Sequence, residues 1–294
     1  MHALTRQQLI LLVLLTVVWG LNWPVMKFGV TGYPPLSFRA ICMWIGVPVL
    51  AVVLLIKRVP FRMAREHWAE LFKLAVFNMF FWHTLAILAV QSLSSGRAAI
   101  LGYTMPIFSA LIGAALFGQR LPGRAWMGVG AATLGVVLLL WHEVTALTGG
   151  PGGVAMMLGA ASAWALGTQM LRRTQLPYPT LTLSFWMTVL TTVWMSLLSI
   201  GFEREAWSAP TLPIWGAILY NAIGVFAFAQ VAWLSLARDL PPIASTLSVM
   251  FIPVLGVFSG AWWLGEVLHW QDWAAVALVL VAIAAVLAPT RRAR

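Results

Sequence analysis

A few side chains sit where chemistry would be possible, and their types limit what that chemistry is. His83 is the one histidine clearly inside an apolar run, and an ionisable group in such a place faces a bundle interior or a wet cavity. It reads either as a neutral imidazole bonding across helices or as a donor or acceptor for a solute. Asn22, Asn78 and Asn221 also lie deep in apolar runs, where an amide either ties helices together or presents both a donor and an acceptor to a ligand. Trp19, Trp82, Tyr103 and Trp164, with Phe81 and Trp186, add aromatic surface away from the run ends. They read as packing or as walls for flat or cationic molecules. All eight acids, Glu66, Glu70, Glu143, Glu203, Glu205, Asp239, Glu266 and Asp272, fall in connections or at run ends. No proton relay, sodium cage or metal cluster is therefore expected, and no catalytic residue or cofactor.

Those side chains must be positioned by membrane helices. The chain has 294 residues, of which 61% are hydrophobic and 9% charged, with a mean hydropathy of +0.90. A soluble protein carries about 25% charged residues. Ten apolar runs lie near 8–28, 36–56, 69–91, 97–117, 125–141, 153–171, 180–201, 212–236, 242–264 and 271–288. Their lengths fit helical spans, and they lack the two-residue alternation of barrel strands. The expected class is an all-α integral membrane protein of ten helices. The first run continues through Trp19-Gly20-Leu21-Asn22-Trp23-Pro24 with no small-residue cleavage site, so it is expected to be a retained helix.

The net charge of +10 is distributed as topology, not as a nucleic-acid patch. Assigned to alternate sides, thirteen Lys and Arg, among them Arg6, Lys57, Arg58, Arg120, Arg172 and Arg292, share one side; Lys27, Arg39, Arg97 and Arg204 make four on the other. That bias places both termini in the cytoplasm of a cell inner membrane, with the bilayer and a small solute as partners. Cys42, the single cysteine, reads as a packed core residue. Tryptophans near run ends, such as Trp68, Trp126, Trp207, Trp270 and Trp273, read as interfacial belts.

The two halves resemble each other. Pro106 precedes Pro253 by 147 residues, and the same offset pairs Gly113 with Gly260, Gly118 with Gly265 and Trp126 with Trp273. Trp19 pairs with Trp164 at 145, and Asn78 with Asn221 at 143. The expected units are 1–148 and 149–294, joined at Gly149-Gly150-Pro151-Gly152-Gly153. Five helices per unit is an odd number, so the second copy enters from the opposite face. Inverted repeats of this kind belong to secondary transporters, and some channels use them too. A proline in a helix frees a carbonyl and kinks the backbone, so Pro106 and Pro253 are the expected matched hinges. Since both repeats are present in one chain, a monomer suffices to build the central cavity.

Trp19-Gly20-Leu21-Asn22-Trp23, Pro106-Ile107-Phe108-Ser109-Ala110-Leu111 and Leu116-Phe117-Gly118-Gln119-Arg120-Leu121 resemble the ten-helix EamA-type branch of the drug/metabolite transporter superfamily. In the second copy Pro253-Val254-Leu255-Gly256 and Trp263-Leu264-Gly265-Glu266-Val267-Leu268 carry the same resemblance. Within that branch the chain is most similar to YddG-type exporters of aromatic amino acids. The family's usual acid after the glycine is Glu; Gln119 departs from it and Glu266 keeps it. The resemblance implies a cavity lined by helices one, three, four, six, eight and nine, and efflux of small organic solutes. The chain is then expected to export aromatic and other neutral amino acids by alternating access, weakly coupled or uncoupled. A passive channel and a membrane-embedded lipid-modifying enzyme are the rival readings; the latter lacks a carboxylate partner for His83.

Overall fold

The computed structural model describes residues 5–121, 123–146, 151–236 and 242–287, with side chains at 140, 142–146, 234–236, 242–250 and 286–287 set aside. Ten helical spans follow one another: α1 Arg6–Gly32, α2 Pro35–Ile56, α3 Arg65–Ser92, α4 Ser95–Phe117, α5 Gly123–Ala146, α6 Pro151–Leu171, α7 Thr180–Ala206, α8 Leu212–Trp233, α9 Pro242–Leu264 and α10 Trp270–Leu287. Seven are long and apolar enough to cross a bilayer, and Gly123–Leu139, Phe251–Leu264 and Trp270–Ala285 are shorter apolar stretches of the other three. Large apolar side chains cover the outside, Trp262, Phe202, Leu116 and Leu55 among them. In water that surface would be an aggregation site; against lipid tails it is the expected solvent-facing surface.

Local sequence sets the helix ends. Thr5 and Gln8 form a reciprocal capping box at the start of α1. Pro35 and Pro213 occupy first-turn positions, where the missing N–H costs nothing. Gly118 and Gly265 close α4 and α9 in the left-handed region, at φ 65° and 67°. The next residue's N–H, of Gln119 or Glu266, then donates back to the carbonyl of Gly113 or Gly260. A residue with a Cβ would be strained at either glycine.

Packing pairs α1 with α9, α4 with α6, α3 with α6, α1 with α8, α2 with α7, and α5 with α10. Gly153 lies against Ser92 and Leu93, and Gly167 against the backbone of Asn78, so α6 runs antiparallel to α3. Lys27, near the end of α1, donates to the carbonyls of Val90 and Gln91, near the end of α3. Thus α1 and α3 finish at one end of the bundle, whereas α6 starts there.

Two departures from the sequence expectation concern the helix interiors. Pro106 does not bend a continuous helix. The helical segment Ser95–Gly102 stops, Tyr103 and Thr104 form a turn, and Pro106 sits in the first turn of Met105–Phe117. Pro253 lies inside the unbroken helix Pro242–Leu264. The matched irregularities fall instead in α3 and α8, where Val76–Phe80 and Tyr220–Ala229 are π-helical. In the first of these the N–H of Phe81 reaches the carbonyl of Val76. Extra residues per turn widen a helix locally, a device often found beside functional sites.

Candidate functional site

A cavity of about 670 Å³ occupies the middle of the bundle. At one end it is bordered by Gln119, Leu121, Ala125 and Arg172, and Gln119 and Arg172 are exposed, so it opens there. This is the end at which α4 and α6 finish. Aromatic walls come from Trp19 and Trp23 on α1, Trp82 on α3, Tyr103 at the break in α4, Trp164 on α6, and Phe226 and Trp233 on α8. Trp82 and Trp164 meet at 5.4 Å between centroids, Trp19 and Trp233 at 5.8 Å, and Trp23 and Tyr103 at 6.4 Å. Tilted and edge-on pairs of this kind leave ring faces available to a planar solute.

The opposite end is closed by carboxylates that cap helices. Glu266 accepts from the Ser95 N–H at 2.6 Å, the Ser95 hydroxyl at 2.9 Å and the Gly96 N–H at 3.3 Å, so it sits on the N-terminus of α4. Glu203, at the end of α7, accepts from the Leu36 N–H at 2.9 Å and from the Ser37 N–H and hydroxyl at 2.7 Å, on the N-terminus of α2. Both use the positive end of a helix dipole. Arg97 and Asp272 form an ion pair at 2.8 Å, with side chains 8% and 4% exposed. In the α1–α2 connection, Tyr33 donates to the Ser208 carbonyl at 3.2 Å. Burial first, and the nearby Glu203 second, push its phenol above the usual range and keep it a donor.

Of the residues singled out from sequence, Trp19, Asn22, Trp82, His83, Tyr103, Pro106 and Trp164 line one cavity. Asn78, Asn221 and Pro253 do not. Asn78 donates to the Trp164 carbonyl at 3.4 Å and the Thr168 hydroxyl at 3.2 Å, tying α3 to α6. Asn221 donates to the Ala217 carbonyl at 3.1 Å and accepts from Arg39. Both amides sit in the π-helical turns; Asn78 is spent on the contact with α6, and Asn221 on its own helix and on Arg39. Phe81 is partly exposed, and Trp186 donates to the Phe61 carbonyl at 2.7 Å, near the open end. His83 is 9% exposed and faces Phe226, ring to ring at 5.3 Å.

Sequence reasoning missed Arg39, which it counted among topology cations. It lines the cavity at 3% exposure. The readable signal was Pro34-Pro35: a helix that starts at Pro35 carries residue 39 a full turn inward. Gln169 and Gln230 also border the cavity, as does Thr188 of α7. Helices α2 and α7 and the start of α5, through Ala125, therefore join the lining, whereas among the described residues none of α9, one of the six helices the resemblance implies, borders the cavity. Among the described residues no group of three His, Cys, Asp or Glu side chains is placed to hold a metal, and no carboxylate lines the cavity.

Comparison with known proteins matches this architecture to a family. The EamA-like transporter family is found twice in succession, over residues 7–141 and 151–288. The uncharacterized transporter YoaV of Bacillus subtilis is 23% identical over 83% of this chain and 84% of its own length. The uncharacterized inner membrane transporter YedA of Escherichia coli is 28% identical over 92% and 87%. A protein of Salmonella typhimurium named as a probable amino-acid metabolite efflux pump is 24% identical over 95% and 94%. A solved crystal structure shares the fold at a TM-score of 0.68 and 21% identity, over 96% of this chain and 99% of that one. The chain belongs to the EamA-like transporter family, and it is a multi-pass membrane transporter.

Proposed function

We propose that this transporter exports small organic metabolites, aromatic and other neutral amino acids first among them, by alternating access at the central cavity. One observation carries the reading: a cavity walled by tryptophans, with a few buried polar groups and no described carboxylate, whose exposed lining residues, among those described, lie at one end. Its size suits a single amino acid with an aromatic side chain. The name of the Salmonella typhimurium relative points to the same class of solute. The names of the relatives also favour a carrier over an enzyme.

Two inverted five-helix repeats, 1–148 and 149–294, supply the mechanism. Their support is the twice-repeated family match, the shared glycine endings at Gly118 and Gly265, and the antiparallel course of α1 and α6. A packing scheme in which α1 meets α9 while α6 meets α4 is what a two-fold relation between such halves produces. The basic residues gather at the open end, so the positive-inside rule makes that end cytoplasmic, with both termini in the cytoplasm of the inner membrane. The state described here then faces inward. With no carboxylate in the lining, coupling to protons or sodium is weak or absent. A monomer contains the whole cavity.

Counterflow in proteoliposomes tests this reading. L-Tryptophan or L-phenylalanine inside the vesicle should accelerate entry of the labelled amino acid, while uridine and tetraethylammonium should not. Fluxes without trans-stimulation would favour a channel. Uphill accumulation that follows an imposed pH step would refute the uncoupled mechanism.

A further inference from the structure

We propose that Arg39 is the carboxylate-binding residue of the transport site, so that the cavity selects solutes bearing a carboxylate beside an apolar or aromatic body. The inference rests on the amino-acid reading above and adds what the site recognises. Arg39 is 97% buried by its 3% exposure, and it lines the cavity near the end that is closed. A guanidinium carries five donors and keeps its charge in proteins. Its contacts here are poor ones for a cation: the Met26 sulfur at 2.7 Å, the Asn221 amide oxygen at 3.4 Å, and the Phe226 ring, 5.6 Å from the guanidinium carbon to the centroid. Its Nε has no hydrogen-bond partner among the described residues. Among the described residues no carboxylate pairs with it, whereas buried Arg97 in the same end of the bundle has Asp272.

A buried, unpaired charge is costly unless something of opposite sign meets it. The planar fork of arginine matches a carboxylate in two parallel hydrogen bonds, which an ammonium on the same stem would not do. A second polar atom without a partner lies on a cavity residue: the Asn22 Oδ1, on a side chain 8% exposed, accepts no hydrogen bond from the described residues. A donor and an acceptor that are both unspent suit the two ends of a zwitterion, with the carboxylate on Arg39 and the ammonium on Asn22. The neighbouring Phe226 ring and Trp23 would then border the side chain.

The experiment compares solutes that differ only in the carboxylate, L-tryptophan against tryptamine and L-phenylalanine against phenethylamine, as competitors of labelled L-tryptophan counterflow. The wild-type protein should favour each amino acid by about 10-fold or more. In Arg39→Gln, with folding checked by gel filtration and thermal melting, that preference should fall to within about 2-fold. Arg39→Lys should keep part of it, since charge remains and the fork is lost. Equal loss for both members of each pair would mean that Arg39 only holds helices together, and would overturn the proposal. Amines that compete as well as amino acids in the wild type would overturn it without any variant. A wild-type protein that moves neither L-tryptophan nor L-phenylalanine would instead refute the amino-acid reading, and this inference with it.

Discussion

Replacing Glu266 by Gln should open the closed end. The carboxylate holds three donors of the α4 N-terminus, two of them backbone N–H groups, and so joins the α9–α10 connection to α4. Hydrogen bonds to a charged partner are worth about 1.5–3 kcal/mol each, and neutral ones roughly half. An amide in the same place retains one acceptor oxygen and leaves the Gly96 N–H without a partner, so the loss is about 2 kcal/mol. Since 1.4 kcal/mol is a factor of ten, under the alternating access proposed above that loss would shift the balance of inward and outward states about 30-fold. Glu203 still caps α2, so the bundle does not come apart. The readout is a thiol at Ala86, a buried cavity residue, introduced as Ala86→Cys with Cys42→Ala. A membrane-impermeant maleimide applied from the side where α4 begins should label it about 30-fold faster in Glu266→Gln. A well-folded variant labelled within 2-fold of the parent would show that this carboxylate does not control access.

Three further outcomes follow from the packing. Gly167→Leu should abolish folding and Gly167→Ala should lower the melting temperature, since a Cβ there collides with the Asn78 backbone and overpacking costs about 1–3 kcal/mol; fluorescence-detected gel filtration after heating reads this. Asp272→Asn should destabilise by about 3–5 kcal/mol by stranding the buried Arg97, while replacing both by leucine and methionine should recover most of the loss. Asn78→Ala should reduce stability by about 1 kcal/mol at unchanged transport KM, whereas Trp164→Ala should raise KM for L-tryptophan about 10-fold, because only the tryptophan borders the cavity.

The legible part of the fold was whatever repeats along a helix or marks its ends. Apolar run length located the ten spans, and the glycines at Gly118 and Gly265 announced matching helix terminations. What was not legible depends on where neighbouring helices touch. Asn78 and Asn221 look alike as amides in apolar runs, yet their partners, the Trp164 carbonyl and Ala217, turn them into internal fasteners. Trp82 and Trp186 are both aromatic and both within spans, but only the first faces the cavity. The π-helical turns leave no mark in composition, because an extra residue per turn is imposed by packing across helices.

The same logic explains why the charge sits on one side of the cavity. The offset of 147 that relates Gly118 to Gly265 also relates Leu36-Ser37-Phe38-Arg39 to Leu183-Ser184-Phe185-Trp186. Where the first copy carries a guanidinium the second carries an indole, and that indole packs against Trp68 at 5.0 Å, away from the lining. Two cations facing each other across a low-dielectric chamber would repel strongly and would hold two anions. With Arg172 exposed at the mouth, Arg39 is the one buried cation among the described lining residues, which leaves room for one carboxylate and an aromatic wall opposite. A Trp186→Arg variant therefore should not gain a second solute site; it should lose the Phe61 carbonyl bond that Trp186 makes near the open end, and with it stability.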